Sequence, residues 1–322
     1  MTHTAACLMG ALTADAAALG LHWVYDPARI ATVAAARGQS AFTPADPTNF
    51  VAKPAYFVHG NRPNGALTQY GEVLHLAIQS LIATKGVFSE PQYQAAYTAH
   101  FGPGGPYVGY IDRPTRGTLA NLAAGQTNPS GVDDDQHPAT ATLPAIVVAT
   151  LGAPNQTADQ TTTLTRAMRV TNVNDTATAY GLAFASLLSQ VLQGSSVASA
   201  LHATAAAAKG DLGARLTQAL NSPQSSTDYG ETTGRACHLP MGLPLAFHIL
   251  ANTTSFADAV EANIRAGGDS AGRAILIGAV MGAAHGIGGA AGIPADYLVK
   301  LHNSDPLWQH CQALATLSQP TT

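Results

Sequence analysis

The sequence predicts an all-α fold, and three observations carry that prediction. Alanine is the most abundant residue, and it is both the strongest intrinsic helix former and small enough to let helices approach closely. Apolar residues recur at three- and four-residue spacing through most long segments, the period of one helix face. Alternation of apolar and polar residues, the mark of a half-buried strand, is scarce throughout.

Taken in order, residues 5–21 place Ala5, Leu8, Met9, Leu12, Ala16 and Leu19 on one face of a first helix. It is expected to stop near Tyr25-Asp26-Pro27, because proline disfavours helical geometry in the residue before it. Residues 43–67, punctuated by Pro44, Pro47, Pro54, Pro63 and Gly65, read as a long loop. A second amphipathic helix then carries Tyr70, Val73, Leu74, Ala77, Ile78 and Leu81 on one side. Phe101 to Pro138 reads as irregular apart from Arg116–Ala124. A connection of that length inside a compact domain is usually functional or disordered, and 101–138 is the candidate lid over a cleft. Further helical patterns fall at about 139–151, 161–171, 175–193 and 196–208, while 210–236 is polar and turn-rich. Apolar patterning resumes at Pro240–Leu250, Phe256–Arg265 and in the glycine-studded run 271–286. Gly278, Gly282 and Gly286 recur every four residues there, a spacing that suits close helix packing in an alanine-rich core. With no internal repeat and no linker-like stretch, residues 1–322 are expected to form one domain.

Composition narrows the function classes. The 322 residues include 15 Lys+Arg and 19 Asp+Glu, a formal net charge of −4, and only 11% are charged. No cation cluster stands out, which argues against nucleic acid as a partner, since phosphate-backbone affinity needs clustered Lys and Arg. The N-terminus lacks the basic region of a signal peptide. The longest uncharged apolar run, Ala274–Ala284 between Arg273 and His285, falls short of the ~20 residues that cross a bilayer. Cys7, Cys237 and Cys311 are odd in number and far apart, which gives neither a disulfide framework nor a CxxC metal knuckle. A cytoplasmic protein with no membrane partner is the expectation.

Two segments set polar side chains immediately before a long apolar helix. In Gly65-Ala66-Leu67-Thr68-Gln69-Tyr70-Gly71-Glu72, Thr68 suits an N-cap and Glu72 the first turn. In Asn263 to Arg273, the pair Gly267-Gly268 allows positive-φ backbone and Asp269 or Ser270 suits a cap. Each alone reads as an ordinary capped helix start. If the two starts meet, polar side chains and exposed N–H groups converge on one cleft suited to anions or hydroxyl-rich ligands. Asp15 sits mid-helix near the apolar face, where an unpaired carboxylate is costly. It therefore calls for a partner such as Arg273, a metal or a ligand. Asp133-Asp134-Asp135 is the best acid cluster, either a solvated turn before Pro138 or a source of a carboxyl with raised pKa. Cys237-His238 reads better as a buried structural cysteine beside a histidine than as a nucleophile and base. Tyr107 and Tyr110, flanked by Gly102, Gly104, Gly105 and Gly109, can stack on an adenine or ribose or pack onto the bundle.

These segments together resemble the ADP-ribosylglycohydrolase family and its lens J-crystallin branch. The resemblance rests on Gly10 to Gly20, Gly65 to Tyr70, Asn263 to Gly282 and Gly292-Ile293-Pro294. It implies an orthogonal helical bundle with a cleft for ADP-ribose. In typical members it also implies two magnesium ions and cleavage of an N- or O-glycosidic bond. Typical hydrolases carry Thr-Asp-Asp where this chain has Thr68-Gln69-Tyr70, and Asp-x-Asp-Thr where it has Asp269-Ser270-Ala271-Gly272. Thr68-Gln69-Tyr70-Gly71-Glu72 with Gly267 to Arg273 is closer to the J-crystallin branch.

The resulting expectation is a hydrolase of the ADP-ribosylglycohydrolase type, acting on an ADP-ribose-type ligand or an ADP-ribosylated group without the dinuclear magnesium site and with no other cofactor. Thr68, Gln69, Tyr70, Asp269 and Ser270 then line the pocket, with Asp269 on ribose hydroxyls. Arg273 pairs with Asp15 or a phosphate, Tyr107 stacks on the ligand, and Asp134 or Asp135 is the acid/base, for metal-free glycoside cleavage generally needs an acid and a base or nucleophile. The competing expectation is a non-catalytic binding or crystallin-like structural protein that kept the fold.

Overall fold

The computed structural model describes residues 3–51, 54–151 and 156–318, with side chains 156–159 outside the description. Among these residues regular structure is helical, and β pairing is confined to isolated bridges such as Val24 with Ala55 and Gln136 with His238. In chain order the α-helices begin with Thr4–Ala18, Pro27–Arg37, Gln69–Ala83, Glu90–Phe101 and Arg113–Ala123. Pro138–Ala141, Leu143–Thr150, Gln156–Arg169, Asp175–Leu192, Val197–Ala207, Gly210–Asn221 and Ser226–Thr233 follow. Leu239–Ala251, Phe256–Ala266, Ser270–His285, Ala295–Lys300 and Ser304–Leu317 complete the order.

The helices Thr4–Ala18 and Ser270–His285 are buried on nearly every face and form the centre of the molecule. They touch backbone to backbone. A methyl group at Gly278 would overlap the Gly10 carbonyl oxygen and lie 2.6 Å from the Ala14 Cβ, and one at Gly282 would overlap the Ala6 carbonyl oxygen. The four-residue glycine spacing thus serves close packing, while Gly286 ends the helix at φ 68°. Thr4–Leu21 is long and apolar enough to cross a membrane by length and composition, but 94% of it is buried inside the fold, as a core helix is. The helix start Gln69–Ala83 is held beside this pair, as are Leu143–Thr150, Phe256–Ala266 and Ser304–Leu317.

Several helices lie where the sequence reading had none. Asp26 caps a helix that begins at Pro27, accepting the Ala28 N–H at 2.9 Å, so the stop signal Tyr25-Asp26-Pro27 is also a start signal. The segment 210–236, read as turn-rich, folds into Gly210–Asn221 and Ser226–Thr233, the second capped by Ser225. Glu90–Phe101, Ala295–Lys300 and Ser304–Leu317 are further additions. The loop 43–67 is non-helical apart from a 3-10 turn at Pro47–Phe50, and residues 52 and 53 of it lie outside the described residues.

The helix contact can be tested directly. Gly278→Ala is expected to lower stability by about 1–3 kcal/mol through overpacking. The measurement is a lower urea midpoint at unchanged slope; an unchanged midpoint would mean the two backbones are not in contact.

Candidate functional site

The two capped starts do meet. Thr68 begins one helix, its hydroxyl accepting the Tyr70 N–H at 3.2 Å, and Asp269 begins the other, accepting the Gly272 N–H at 2.9 Å. The Tyr70 hydroxyl crosses between them and donates to Asp269 Oδ2 at 2.9 Å. Positive φ at Gly267 (76°) and Gly268 (67°) turns the chain into the second start. That turn is stitched down by Gly268 N–H to the Val24 carbonyl and Asp269 N–H to the Arg235 carbonyl, both 2.8 Å.

Asp15 closes the other side. Fully buried, it accepts the Thr68 N–H at 2.7 Å and the Thr68 hydroxyl at 2.5 Å. Gly71 leaves the room, since a Cβ there would overlap Asp15 Oδ2. Burial pushes the Asp15 carboxyl up to about 7, against the two Thr68 hydrogen bonds that favour its ionised form.

Gln69 turns outward from this pair onto the irregular segment. Its amide donates to Asp112 Oδ2 at 2.6 Å and to Thr115 Oγ1 at 2.5 Å, and accepts the Asp112 N–H at 2.6 Å. Asp112 in turn caps Arg113–Ala123 through the Thr115 N–H at 2.7 Å. Burial raises its carboxyl to about 6.

Arg273 corrects the sequence expectation. Its guanidinium reaches neither Asp15 nor an open surface. It donates to Asn263 Oδ1 at 3.0 Å and to the Gly267 carbonyl at 2.6 Å, and also meets the Asn263 and Arg235 carbonyls at 3.3 Å. The turn 263–270 curls around it, so the arginine is a clamp on the loop, and full burial lowers its pKa to about 10.

The three aspartates before Pro138 fan apart rather than share one environment. Asp133 meets Asn174 Nδ2 at 2.7 Å, Asp134 pairs with the exposed Arg113 at 3.0 Å, and Asp135 holds His238 Nδ1 at 2.6 Å. Burial raises the Asp134 pKa ahead of the lowering effects of the Gln136 N–H and Arg113. Cys237 is half-buried, and burial pushes its thiol well above the usual range, away from nucleophile behaviour. Tyr107 packs under the Arg62 guanidinium, 4.9 Å from the ring centre, and donates to the Tyr110 carbonyl at 2.9 Å. Arg62 is itself engaged with Glu72 and the Leu67 carbonyl, each at 2.6 Å.

Around Tyr70 and Asp269 lie residues the sequence does not single out, His22, His59, His137 and Trp23, together with Tyr110, the second candidate stacking tyrosine, 5.1 Å from Trp23. His22 Nδ1 faces the Ala271 N–H at 3.2 Å and Asp269 Oδ1 at 3.4 Å. Burial lowers its pKa to about 3, so the contact joins a neutral imidazole to a carboxylate and is not an ion pair. His137 is wedged between Gly242 and Gly272, where any Cβ would overlap its ring or crowd it at 2.7 Å, and burial lowers it to about 4. Sequence spacing of 22, 59 and 137 carries no sign of this convergence. Asp112 before Arg113-Pro114 did carry one, an N-cap signature that the irregular composition around it hid. Among the described residues no group of three or more His, Cys, Asp or Glu side chains is placed to hold a metal ion.

The pKa directions predict a pH dependence. Above pH 6.5 the buried histidines are neutral in both folded and unfolded chains; below it only the unfolded chain takes up their protons, so stability falls with acid. Asp15 works the other way, because between pH 3.8 and 7 it keeps its proton when folded and releases it when unfolded. His137→Gln is therefore expected to flatten the loss between pH 6.5 and 4 by up to about 1.4 kcal/mol per pH unit, and Asp15→Asn to steepen it. Denaturant midpoints across that range check both signs.

Comparisons with known proteins agree with this architecture. The family model described as ADP-ribosylglycohydrolase matches residues 2–322. Crystallin J1B of Tripedalia cystophora is 26% identical over 295 residues, 87% of each chain. Crystallin J1A of the same organism is 24% identical over 326 residues, covering 97% of this chain and 96% of that one. A solved structure titled ADP-ribosylglycohydrolase-related protein complex superposes with a TM-score of 0.68 at 18% identity, over 98% of this chain and 99% of that one, a likeness of fold. With a family model spanning nearly every residue and the two capped helix starts meeting at Tyr70 and Asp269, the chain belongs to the ADP-ribosylglycohydrolase family.

Proposed function

We propose that this chain is a non-hydrolytic member of the family, a binding or crystallin-like structural protein in which internal hydrogen bonds replace the dinuclear magnesium chemistry of typical members. The observation that carries this reading is the Tyr70 hydroxyl seated on Asp269 Oδ2 at 2.9 Å, at a position where typical hydrolases carry aspartate. Magnesium demands near-octahedral oxygen ligands, usually including carboxylates. Here Asp15 is occupied by Thr68, Asp269 by Tyr70 and Gly272, and Gln69 by Asp112 and Thr115. On this reading the residues present do not fit a pair of metal ions.

Recognition of a diphosphate is also poorly served at the two helix starts. Arg273 is turned onto backbone carbonyls and Arg62 is committed to Glu72. The crystallin relatives support a role for the fold apart from turnover, since fold and chemistry are separable.

One arrangement favours a second reading, hydrolysis without metal. His238 Nδ1–H donates to Asp135 Oδ1 at 2.6 Å, which leaves Nε2 as the accepting nitrogen on a half-exposed ring, the base-and-orienter half of a catalytic triad.

A release assay on peptides ADP-ribosylated at arginine and at serine, with and without Mg²⁺, separates the two. The first reading expects no turnover in either condition; turnover that a chelator abolishes would overturn it. Metal-independent turnover that falls by about a hundredfold or more in His238→Gln would instead favour the second reading, on the scale of general-base contributions.

A further inference from the structure

Away from the two helix starts, a pair of imidazoles meets across a helix contact. His75 lies on Gln69–Ala83 and His310 on Ser304–Leu317, two helices packed against each other. His75 Nε2 and His310 Nδ1 stand 2.9 Å apart, and the ring centres lie 5.1 Å apart with the planes inclined by 38°. Both residues are half-buried, so each ring has a protein side and a water side.

The facing nitrogens suit a second use. A neutral imidazole has one N–H and one lone pair, so the hydrogen bond holds a single proton between the two rings. Moving that proton to the far nitrogen of its own ring frees the second lone pair, and a cation can then enter with no proton gained or lost. Either ring nitrogen of a neutral histidine serves as a metal ligand. Zn–N bonds of about 2 Å at a tetrahedral angle set two ligand nitrogens about 3.3 Å apart. That is a few tenths of an ångström beyond the separation seen here, within the reach of small side-chain rotations.

Neighbouring residues set the rest of the shell. Glu72, one helical turn before His75, is held by Arg62 at 2.6 Å and by His100 Nε2 at 3.2 Å. Cys311, next to His310, is fully buried in the apolar core. Neither is free to add a third protein ligand, and the water side of the rings leaves the other positions to solvent. Imidazole nitrogen selects a transition metal such as Zn²⁺ over Mg²⁺, which takes oxygen ligands.

We propose that His75 and His310 form a two-histidine site for a divalent transition metal of the Zn²⁺ type, completed by water, that ties the helix beginning at Thr68 to Ser304–Leu317. The site is separate from the cleft and stands under either reading of the cleft's chemistry. An ion held by the folded chain alone also stabilises it.

Calorimetric titration of the chelator-treated full chain with ZnCl₂ at neutral pH is expected to show one saturable ion per chain, undiminished by excess MgCl₂. His75→Gln, whose amide can still bond His310, and His310→Gln should each weaken that binding at least about tenfold, since loss of even an outer-shell partner costs that much. Each should also remove the rise in melting temperature that Zn²⁺ gives the parent chain. His302→Gln, at an exposed histidine outside the pair, should keep both effects. In the unaltered chain the imidazole proton resonances of His75 and His310 should shift together as Zn²⁺ is added, a readout that needs no variant to fold. Absence of saturable binding overturns the proposal, as does binding that survives in either variant of the pair. Resonances of other histidines shifting in place of these two, the mark of adventitious surface binding, overturn it as well.

Discussion

The backbone contact between Thr4–Ala18 and Ser270–His285 is the constraint on which the site depends. Gly10, Gly278 and Gly282 let the two helices approach closely enough for carbonyl oxygens to occupy the space of missing side chains. That approach fixes Asp15, on the first helix, relative to Asp269, which begins the second. Gly71 repeats the device at a third helix, giving Asp15 Oδ2 the place a Cβ would take. Two carboxylates from distant parts of the sequence are thereby set on either side of Thr68 and Tyr70 by the absence of side chains rather than by their presence.

What happens at those carboxylates follows from burial. A carboxyl group out of water needs hydrogen-bond partners, and the partners here come from neutral residues of the neighbouring helix start. Thr68 gives Asp15 two, while Tyr70 and the Gly272 N–H give Asp269 two. Gln69 performs the same service for Asp112 and ties down the segment that approaches the site from Phe101 onward. Each acid has its own partners, and the partners hold adjacent elements together. The network positions as well as neutralises.

The sequence showed the all-α class, the central helices and both helix starts, because each rests on local signals: periodicity, a capping side chain, paired glycines. It showed the partners less well. Arg273 was expected to meet a carboxylate, yet it meets carbonyls, because the positive-φ turn at Gly267 and Gly268 brings the chain back over its own guanidinium. Whether an arginine faces an acid or a loop depends on that turn's path, which periodicity does not encode. The aspartates at 133–135 point in three directions where the chain pairs with 237–239: Gln136 bridges His238, the His137 N–H donates to the Cys237 carbonyl and the Leu239 N–H to the Asp135 carbonyl. The histidine cluster was invisible for a further reason. His22, His59 and His137 come from a 3-10 turn, a proline-rich loop and a short helix cap, with no spacing in common.

Relative to the pattern of typical family hydrolases, the exchange at 69 and 70 also has an electrostatic logic. Neighbouring carboxylates repel one another. Glutamine and tyrosine at those two positions avoid that repulsion and supply donors that pair with Asp112 and Asp269. The change at one helix start therefore stabilises the other: Tyr70 without Asp269 would bury a hydroxyl lacking an acceptor, and Asp269 without Tyr70 would lose its side-chain donor. Such mutual dependence makes a single exchange costly. One acid placed at position 69 or 70 would set a second carboxyl group against Asp112 or Asp269 in place of its donor, so the two helix starts hold their present state as a pair.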